Sequence, residues 1–259
     1  MTSPIIDFHA HVSSSWDCVS ELLSAQQRAG ISHTVIVSGN MLDTAYLGDF
    51  LRGAHPLRDS LPNNEFVLEA ASRSDGRLIP FFSIDPNYHD ESDLSSAIED
   101  GFLGFKLNPI VHRVDLTSPA VGSLLDALNR LGATLYLHLT LNPSASLEAV
   151  TALARTYGSI NVIIGHMGFA TADMAAINAS QVIPNLFLES SIGSMLSYKE
   201  MRRRDGFAKL LFGSEFPTHD PQIELAKLGL VFTADELELV THRNAKALLW
   251  PRSSVESRW

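Results

Sequence analysis

Short apolar runs alternate with helical patterns along the whole chain, and this alternation limits the fold more than any other feature. The runs have the length and the β-branched content of buried strands, and successive runs lie about 30 residues apart, the size of one βα unit. Eight of them are predicted to be strands: IIDFH near Ile6, HTVIVS near Val35, LIPFFSI near Pro80, GFKLN near Phe105, TLYLHL near Tyr136, NVIIGH near Ile164, NLFLESS near Phe187 and LLFGSE near Phe212.

The segments between the runs carry apolar residues at helical spacing, and several end at a glycine, which commonly follows the last turn of a helix. A last helix is predicted to begin at Thr233, where the sequence Thr-Ala-Asp-Glu has the pattern of a capping box. The other helical windows are Trp16 to Ala29, Glu65 to Arg73, Leu94 to Glu99, Val121 to Leu131, Leu147 to Tyr157, and the regions around Ala175, Met201 and Leu225.

Eight strands that alternate with helices, with no linker between them, predict an α/β fold of one domain over residues 1–259. We predict a (β/α)8 TIM barrel with a C-terminal helix in preference to a doubly wound sheet. The stretch from Asn40 to Pro62 is the longest irregular segment, and it is predicted to form a loop over the barrel mouth.

Charge and cysteine content limit the partners and the location of the protein. The net charge is −10, and the one basic run, Arg202-Arg203-Arg204, is flanked by acidic residues and is predicted to be a solvated helix face. Nucleic acid and anionic membranes both require clustered Lys and Arg, so neither is an expected partner. Cys18, the single cysteine, is predicted to pack within a helix. The absence of a signal-peptide pattern and of a membrane-length apolar stretch predicts a cytoplasmic protein.

Two histidines, His9 and His11, stand at the end of the first predicted strand. Side chains alternate between the two faces of a strand, so both imidazoles are predicted to point the same way, together with Asp7. Such a pair can be a hydrogen-bonded part of the core or two ligands of one metal ion. The His-x-His pattern alone does not decide between them.

Further polar residues lie at the ends of later strands, where the active-site residues of a (β/α)8 barrel are found. A histidine inside an apolar run is costly to bury unless it is hydrogen-bonded or coordinated. Four histidines and at least one carboxylate are therefore predicted to converge on one barrel mouth. Beyond His9 and His11 these residues are Lys106 on strand four, His138 on strand five, His166 on strand six, Glu189 on strand seven and Glu215 on strand eight.

The ordered set of motifs resembles the amidohydrolase superfamily, and within it the group that includes aminocarboxymuconate semialdehyde decarboxylase. The resemblance runs over nearly the whole chain and is carried by IIDFHAHV, GFLGFKLNP, YLHLT, VIIGHMG, NLFLESS, LLFGSEFP and THRNAKALL. Each motif alone is weak, whereas their order along the chain is fairly specific.

The resemblance implies roles for particular residues. His9, His11 and His138 resemble the metal-ligand histidines of the family, and His166 resembles the strand-six histidine that orients or deprotonates the attacking water. The family usually ends strand eight in GSDxP, and its Asp binds metal and takes part in proton transfer. Glu215 occupies that position here, and Glu is an ordinary zinc ligand. Lys106 is predicted to hold a substrate carboxylate or to pair with Glu189 rather than to bridge two ions as a carbamate.

By the same resemblance we predict a mononuclear metal-dependent hydrolase with Zn²⁺, or as second choice Mn²⁺, that attacks an amide, ester or lactone of a small molecule through an activated water. His166 would steer the water, and Glu215 would pass its proton to the leaving group. A non-oxidative decarboxylase of an unsaturated or aromatic acid is the alternative, and the compact chain favours the hydrolase. A barrel that has lost catalysis is a third, weaker reading. The family also implies a homodimer as one oligomeric state to test.

Overall fold

The computed structural model describes residues 3–14, 18–39, 62–109, 111–112, 114–139, 143–168 and 172–250. It contains all eight predicted strands, so the sequence prediction of the strands is confirmed. The strands are β1 (Ile5–Val12), β2 (Ile31–Ser38), β3 (Leu78–Ile84), β4 (Gly104–Leu107), β5 (Thr134–Leu137), β6 (Asn161–Ile164), β7 (Leu186–Glu189) and β8 (Leu210–Leu211).

A helix overlaps each predicted helical window. The capping box at Thr233 is also present, since the Thr233 hydroxyl accepts a hydrogen bond from the Glu236 backbone and the Glu236 carboxylate accepts one from the Thr233 backbone. The helices are α1 (Cys18–Ala29), α2 (Asn64–Ser72), α3 (Glu91–Asp100), α4 (Pro119–Leu131), α5 (Leu147–Thr156), α6 (Met174–Val182), α7 (Met195–Arg203), α8 (Pro221–Gly229), α9 (Ala234–Glu238) and α10 (Asn244–Leu249).

The eight strands form one parallel sheet in the order β1 to β8, as a (β/α)8 barrel requires. The first strand meets the segment that follows the last one, which closes the barrel. There the backbone N–H of Phe8 donates to the carbonyl of Phe212 over 2.7 Å, and that of His11 donates to the carbonyl of Phe216 over 2.8 Å. The predicted TIM barrel with a C-terminal helix is thus confirmed.

The core has two layers. Apolar side chains from the strands fill the barrel interior, among them Phe8, Phe81 and Ile163, and α10 closes one end of this interior with Ala245 and Leu249. A second, larger layer packs between the strands and the surrounding helices. Cys18 belongs to this outer layer, as predicted, and its thiol hydrogen-bonds the Ser13 carbonyl over 3.1 Å.

A β-bulge in the first strand corrects the prediction that Asp7 shares a face with His9 and His11. The pairing of β1 with β2 shifts register between Asp7 and Ala10. Phe8 belongs to the interior layer, whereas Ala10 belongs to the outer layer, so the alternation of faces changes phase at the bulge. Asp7 therefore lies out of phase with the two histidines. Its Oδ1 accepts hydrogen bonds from the backbone N–H groups of His9 and Ser214 and ties β1 to the end of β8.

Two further sequence predictions concern a loop and a run of basic residues. The predicted mouth loop, residues 40–62, lies almost wholly outside the described residues. The basic run at the end of α7 is engaged with acidic side chains, since Arg203 pairs with Glu200 over 2.8 Å and Arg202 pairs with Glu236 over 2.9 Å. No helix in the described part of the chain is long and apolar enough to cross a membrane.

Two histidines, His33 and His242, lie at the end of the barrel opposite the carboxyl ends of the strands. His33 pairs in register with Ile6 near the start of β1, and its ring packs edge-on against Trp250. Burial and the neighbouring His242 lower the pKa of His33. Burial and the nearby Lys246 lower the pKa of His242 in turn. Both imidazoles are therefore neutral in the folded protein under conditions in which they would titrate in the unfolded chain.

The lowered pKa values of His33 and His242 predict that the protein loses stability in mild acid. The unfolded chain binds more protons than the folded one below about pH 6.5, the ordinary pKa of histidine, so the free energy of unfolding should fall as the pH drops below that value. We expect His33→Gln to lose less stability than the wild type between neutral and mildly acidic pH, as measured by urea denaturation at a series of pH values. Equal losses in the two proteins would show that His33 does not contribute.

Candidate active site

The polar residues predicted at the strand ends meet at the carboxyl-terminal mouth of the barrel. His9, Lys106 and Glu189 are buried, and His11, His138 and His166 are partly buried. They come from five of the eight strands, and with Glu215 from the segment after β8 they form one cluster of polar side chains. This is the usual location of the active site in this architecture.

Glu215 lies against the two histidines of β1. One carboxylate oxygen, Oε2, is 2.6 Å from Nδ1 of His9, and the other, Oε1, is 3.4 Å from Nε2 of His11. Glu215 does not cap the next helix, because the N-cap of α8 is Asp220. His9, His11 and Glu215 form a group whose potential ligand atoms all lie within 4.8 Å of one another.

Two site residues occupy strained backbone conformations. Glu215 has φ +60° and His166 has φ +60° with ψ +25°, both in the left-handed region that residues other than Gly seldom adopt. Each such residue costs about 1–3 kcal/mol and persists only where its surroundings hold it. The hydrogen bond from the Glu215 backbone N–H to the His9 carbonyl, 2.8 Å long, is one of those restraints.

His166 and His138 approach each other closely. Their Nε2 atoms are 3.2 Å apart, and Nε2 of His166 is 3.9 Å from Oε2 of Glu215. Two imidazole nitrogens at this distance share one proton or one cation. His138 is not in the group of His9, His11 and Glu215, although it was predicted to be a metal ligand, whereas His166 forms a second group with His9 and Glu189.

Lys106 extends into the middle of the site. Its Nζ lies 2.5 Å from Nε2 of His9 and 3.2 Å from Nε2 of His138, and it also sits 4.5 Å above the ring of Tyr136. Burial lowers the pKa of Lys106 to about 8, although the negative charges of Glu215 and Glu189 oppose that shift. The sequence also predicted that Lys106 pairs with Glu189. No such ion pair occurs among the described residues, in which Nζ of Lys106 contacts the imidazoles of His9 and His138.

The titratable groups of the site differ in their protonation states. Burial lowers the pKa of His166 to about 4 and lowers that of His138 well below its usual range, so both are neutral at physiological pH. Burial alone would raise the pKa of Glu215, but the adjacent imidazoles of His9 and His11 outweigh this and hold it well below its usual range. The site therefore combines the ionised carboxylate of Glu215 with the neutral imidazoles of His138 and His166. A carboxylate and a neutral imidazole are the forms in which these groups bind a metal ion.

The donor set fits a divalent cation. Oε2 of Glu215 and Nδ1 of His11 are buried, and no group among the described residues makes a well-aligned hydrogen bond to either. Oε2 of Glu215 lies 2.6 Å from Nδ1 of His9, but the two groups are not aligned as a hydrogen bond. Imidazole nitrogens and carboxylate oxygens are the ligands that Zn²⁺ takes in proteins. His9, His11 and Glu215 are the residues of this group that would hold the ion, and His138 stays a predicted fourth ligand.

Sequence reasoning overlooked two hydroxyl groups of the site. Tyr136 lies two residues before His138 on β5, and its hydroxyl is 2.9 Å from Nδ1 of His9. Ser191 lies two residues after Glu189, and its hydroxyl is 2.8 Å from Nδ1 of His166. Both positions could have been found from the two-residue period of a strand, applied outward from His138 and Glu189.

Fold and site together define the class of this protein: an enzyme with a (β/α)8 barrel and a candidate metal site at the carboxyl ends of its strands. The chain belongs to the amidohydrolase family, whose model matches residues 6–249. The family resemblance inferred from the motifs is thereby confirmed. Among curated proteins, none matches this sequence.

Solved structures with the same fold include hydrolases and decarboxylases by name. A probable 2-pyrone-4,6-dicarboxylic acid hydrolase from Acinetobacter baumannii, determined with citric acid bound, shares 18% identity with a TM-score of 0.68 over 95% of this chain and 99% of that one. The 5-carboxyvanillate decarboxylase of Sphingomonas paucimobilis shares 11% with a TM-score of 0.69, covering 95% and 98%. The 2,6-dihydroxybenzoate decarboxylase of Rhizobium shares 14% with a TM-score of 0.67, covering 96% and 99%. At these identities the likeness shows a common fold.

Proposed function

We propose that this protein is a metal-dependent hydrolase that cleaves a lactone, ester or amide of a small molecule with an activated water. The observation that carries the proposal is the group of His9, His11 and Glu215 beside the neutral imidazole of His166. Two buried atoms of this group, Oε2 of Glu215 and Nδ1 of His11, have no hydrogen-bond partner among the described residues. We propose Zn²⁺ as the resident ion and Mn²⁺ as the second choice, because both accept a mixed set of imidazole and carboxylate ligands.

A bound divalent ion would supply Lewis acidity towards a carbonyl oxygen and would lower the pKa of water towards neutrality. The residues around it supply the proton transfers. His166 is neutral and its Nε2 faces His138 and Glu215, so it can orient a water and accept its proton. Glu215 is ionised, and its Oε2 lies 3.9 Å from Nε2 of His166. It can therefore accept that proton and deliver it to the leaving group.

Lys106 is proposed to bind the substrate. Its Nζ is buried in the centre of the site against His9 and His138, so an ammonium there can hold a carboxylate of the substrate or the negative charge that develops on the attacked carbonyl. The hydrolase from Acinetobacter baumannii is named for a pyrone dicarboxylic acid. A lactone that carries a carboxylate is therefore the first substrate class that we propose for this chain.

A decarboxylase is the second candidate. It is favoured by the same buried Lys106, which can hold a carboxylate in a site shielded from water, and by the names of the two decarboxylases with this fold. In that reaction the scissile bond joins the carboxyl carbon to the rest of the substrate, and the product carbon takes up a proton that Glu215 or His166 would deliver.

An activity screen separates the two candidates. The purified protein is incubated with carboxylated lactones, simple esters, amides and aromatic carboxylic acids, and the release of acid equivalents, of amine and of CO₂ is followed in parallel. Acid or amine release without CO₂ supports the hydrolase. CO₂ release from an aromatic acid, with lactones untouched, would replace it with the decarboxylase.

Two further expectations stay predictions. A cytoplasmic location is tested by cell fractionation, and a homodimer is tested by light scattering on the purified protein. Neither bears on the chemistry proposed for the site.

A further inference from the structure

The turn that follows β7 contains a residue in an unusual backbone conformation. The backbone N–H of Gly193 donates to the carbonyl of Ser190 over 2.9 Å, so residues 190–193 form a β-turn. Ile192, at the third position of this turn, has φ +60°. A turn with a positive φ at that position is of type II and favours Gly or Asn there. A β-branched residue in this conformation is a genuine outlier.

The strain at Ile192 lies at the same level of the barrel as that of two residues of the proposed site. His166 follows β6, Ile192 follows β7 and Glu215 follows β8, and all three have φ +60°. Of the described residues other than Gly that have a positive φ, Ile192 is the only β-branched one. Residues in unfavourable backbone conformations cluster at active sites and ligand-binding positions. The conformation of Ile192 thus fits a residue of the site.

The outer helices hold the two ends of the turn. The hydroxyl of Tyr198 on α7 donates to the carbonyl of Ser190 over 2.7 Å. Nζ of Lys227 on α8 donates to the carbonyl of Gly193 over 3.1 Å. A Cβ atom added to Gly193 would lie 2.7 Å from the Tyr198 hydroxyl, so close packing requires glycine at this position. The neighbouring position, where the positive φ also favours glycine, carries isoleucine instead.

The middle of the turn adjoins the proposed site. The hydroxyl of Ser191 lies 2.8 Å from Nδ1 of His166. Ile192 is the next residue, and consecutive Cα atoms are only about 3.8 Å apart. Its side chain is 48% exposed. An apolar side chain in a costly backbone conformation is therefore open to solvent next to a residue that contacts His166.

Neither backbone propensity nor burial accounts for an isoleucine at this position. Gly or Asn would fit the backbone better, and a polar side chain would fit the exposure better. An apolar side chain that is half-exposed in the free protein can bury more of its surface against an apolar ligand, which favours binding. In a (β/α)8 barrel, the segments that follow the strands carry binding and catalytic residues.

We propose that Ile192 is a specificity-determining residue that contacts an apolar part of the substrate on the β7 side of the barrel mouth. This rests on the proposed function, in which Lys106 holds a carboxylate of the substrate. The substrate class narrows accordingly to carboxylates that carry an apolar ring or chain.

The test compares the binding of two carboxylates to the protein as purified. Benzoate carries an apolar ring, and acetate carries the same charge without one, so the ratio of their Kd values isolates the contribution of the ring. NMR titration measures both Kd values for the wild type and for three variants of Ile192. We expect the wild type to bind benzoate more tightly than acetate.

Ile192→Val and Ile192→Thr form a matched pair. Val and Thr have nearly the same shape and share the β-branching of Ile, so both variants keep the strain of the turn. Ile192→Val should retain most of the preference for benzoate. Ile192→Thr, which replaces a methyl by a hydroxyl, should bind benzoate about 3- to 10-fold more weakly than Ile192→Val does and bind acetate equally well.

Ile192→Asn separates the strain from the contact with the ligand. Asn enters the left-handed conformation more readily than other residues with a side chain, so the variant should melt no lower than the wild type. It should lose the preference for benzoate as Ile192→Thr does. Thermal unfolding followed by circular dichroism measures the melting temperature.

A wild type without a preference for benzoate would overturn the proposal. So would an Ile192→Thr protein that keeps the preference of Ile192→Val. An Ile192→Asn protein that melts well below the wild type would also overturn it, because Ile192 would then be retained for packing. Failure of the hydrolase proposal looks different, since the screen would find no hydrolysis while the preference for benzoate and its loss in Ile192→Thr remained.

Discussion

Glu215→Gln is expected to give a folded barrel with almost no activity, a loss of roughly 100- to 10,000-fold. The substitution keeps the volume of the side chain and removes its charge. In the structure the two carboxylate oxygens lie 2.6 Å from His9 and 3.4 Å from His11, and an amide can neither bind a cation as a carboxylate does nor carry a proton to a leaving group. Activity on the substrate found by the screen measures the loss, and circular dichroism checks the fold.

Glu215→Asp is the matched control for this prediction. Asp is shorter by one methylene, so its carboxylate falls back by about 1.3–1.5 Å, roughly one C–C bond. The contacts to His9 and His11 would both lengthen by about that distance, so Asp should restore activity only in part even though it is the residue that the family usually carries. A Gln variant with near-wild-type turnover would remove Glu215 from the mechanism.

His166→Asn and His138→Asn are expected to fail in different ways. His166→Asn should keep most of the metal and lower turnover by roughly 100- to 10,000-fold, because the proposed role of His166 is to position water and accept its proton. His138→Asn is predicted to lose both metal and activity, as a ligand would. Elemental analysis of each purified variant, together with its activity, distinguishes the roles.

The distance between the two histidines shows why the two variants must be compared. The Nε2 atoms of the two rings are 3.2 Å apart, so either could contribute to a cation placed between them. Loss of the ion from His166→Asn as complete as from His138→Asn would make His166 a ligand. Retention of the ion in His138→Asn would restrict the protein ligands to His9, His11 and Glu215.

The barrel could be predicted from the sequence because each strand is a short apolar run and each crossover is long enough to contain a helix. The positions of His9, His11 and Glu215 followed from the rule that barrel chemistry collects at strand ends, and the structure brings these three together. Asp7 was misplaced because the bulge between Asp7 and Ala10 interrupts the two-residue period. A bulge has no reliable signature in a single sequence, since it arises from pairing with another strand.

The surroundings of Lys106 and Glu189 could not be predicted for a related reason. Sequence gives the strand on which each residue lies but not how far its side chain reaches across the barrel. Nζ of Lys106 contacts two imidazoles on other strands. Glu189 accepts hydrogen bonds from the hydroxyl of Tyr136 on β5 and from that of Ser191 just after its own strand. Those contacts depend on the tilt and stagger of the strands, which are properties of the closed barrel.

Metal content tests the central claim most directly. The protein is purified without added chelator and its divalent metals are measured by elemental analysis against protein concentration. His9, His11 and Glu215 form one protein ligand group, so the account predicts about one equivalent of divalent metal, with zinc as the principal element. Two equivalents would make Lys106 a ligand to a second ion. Near-zero metal that reconstitution with Zn²⁺ or Mn²⁺ cannot restore would contradict the account.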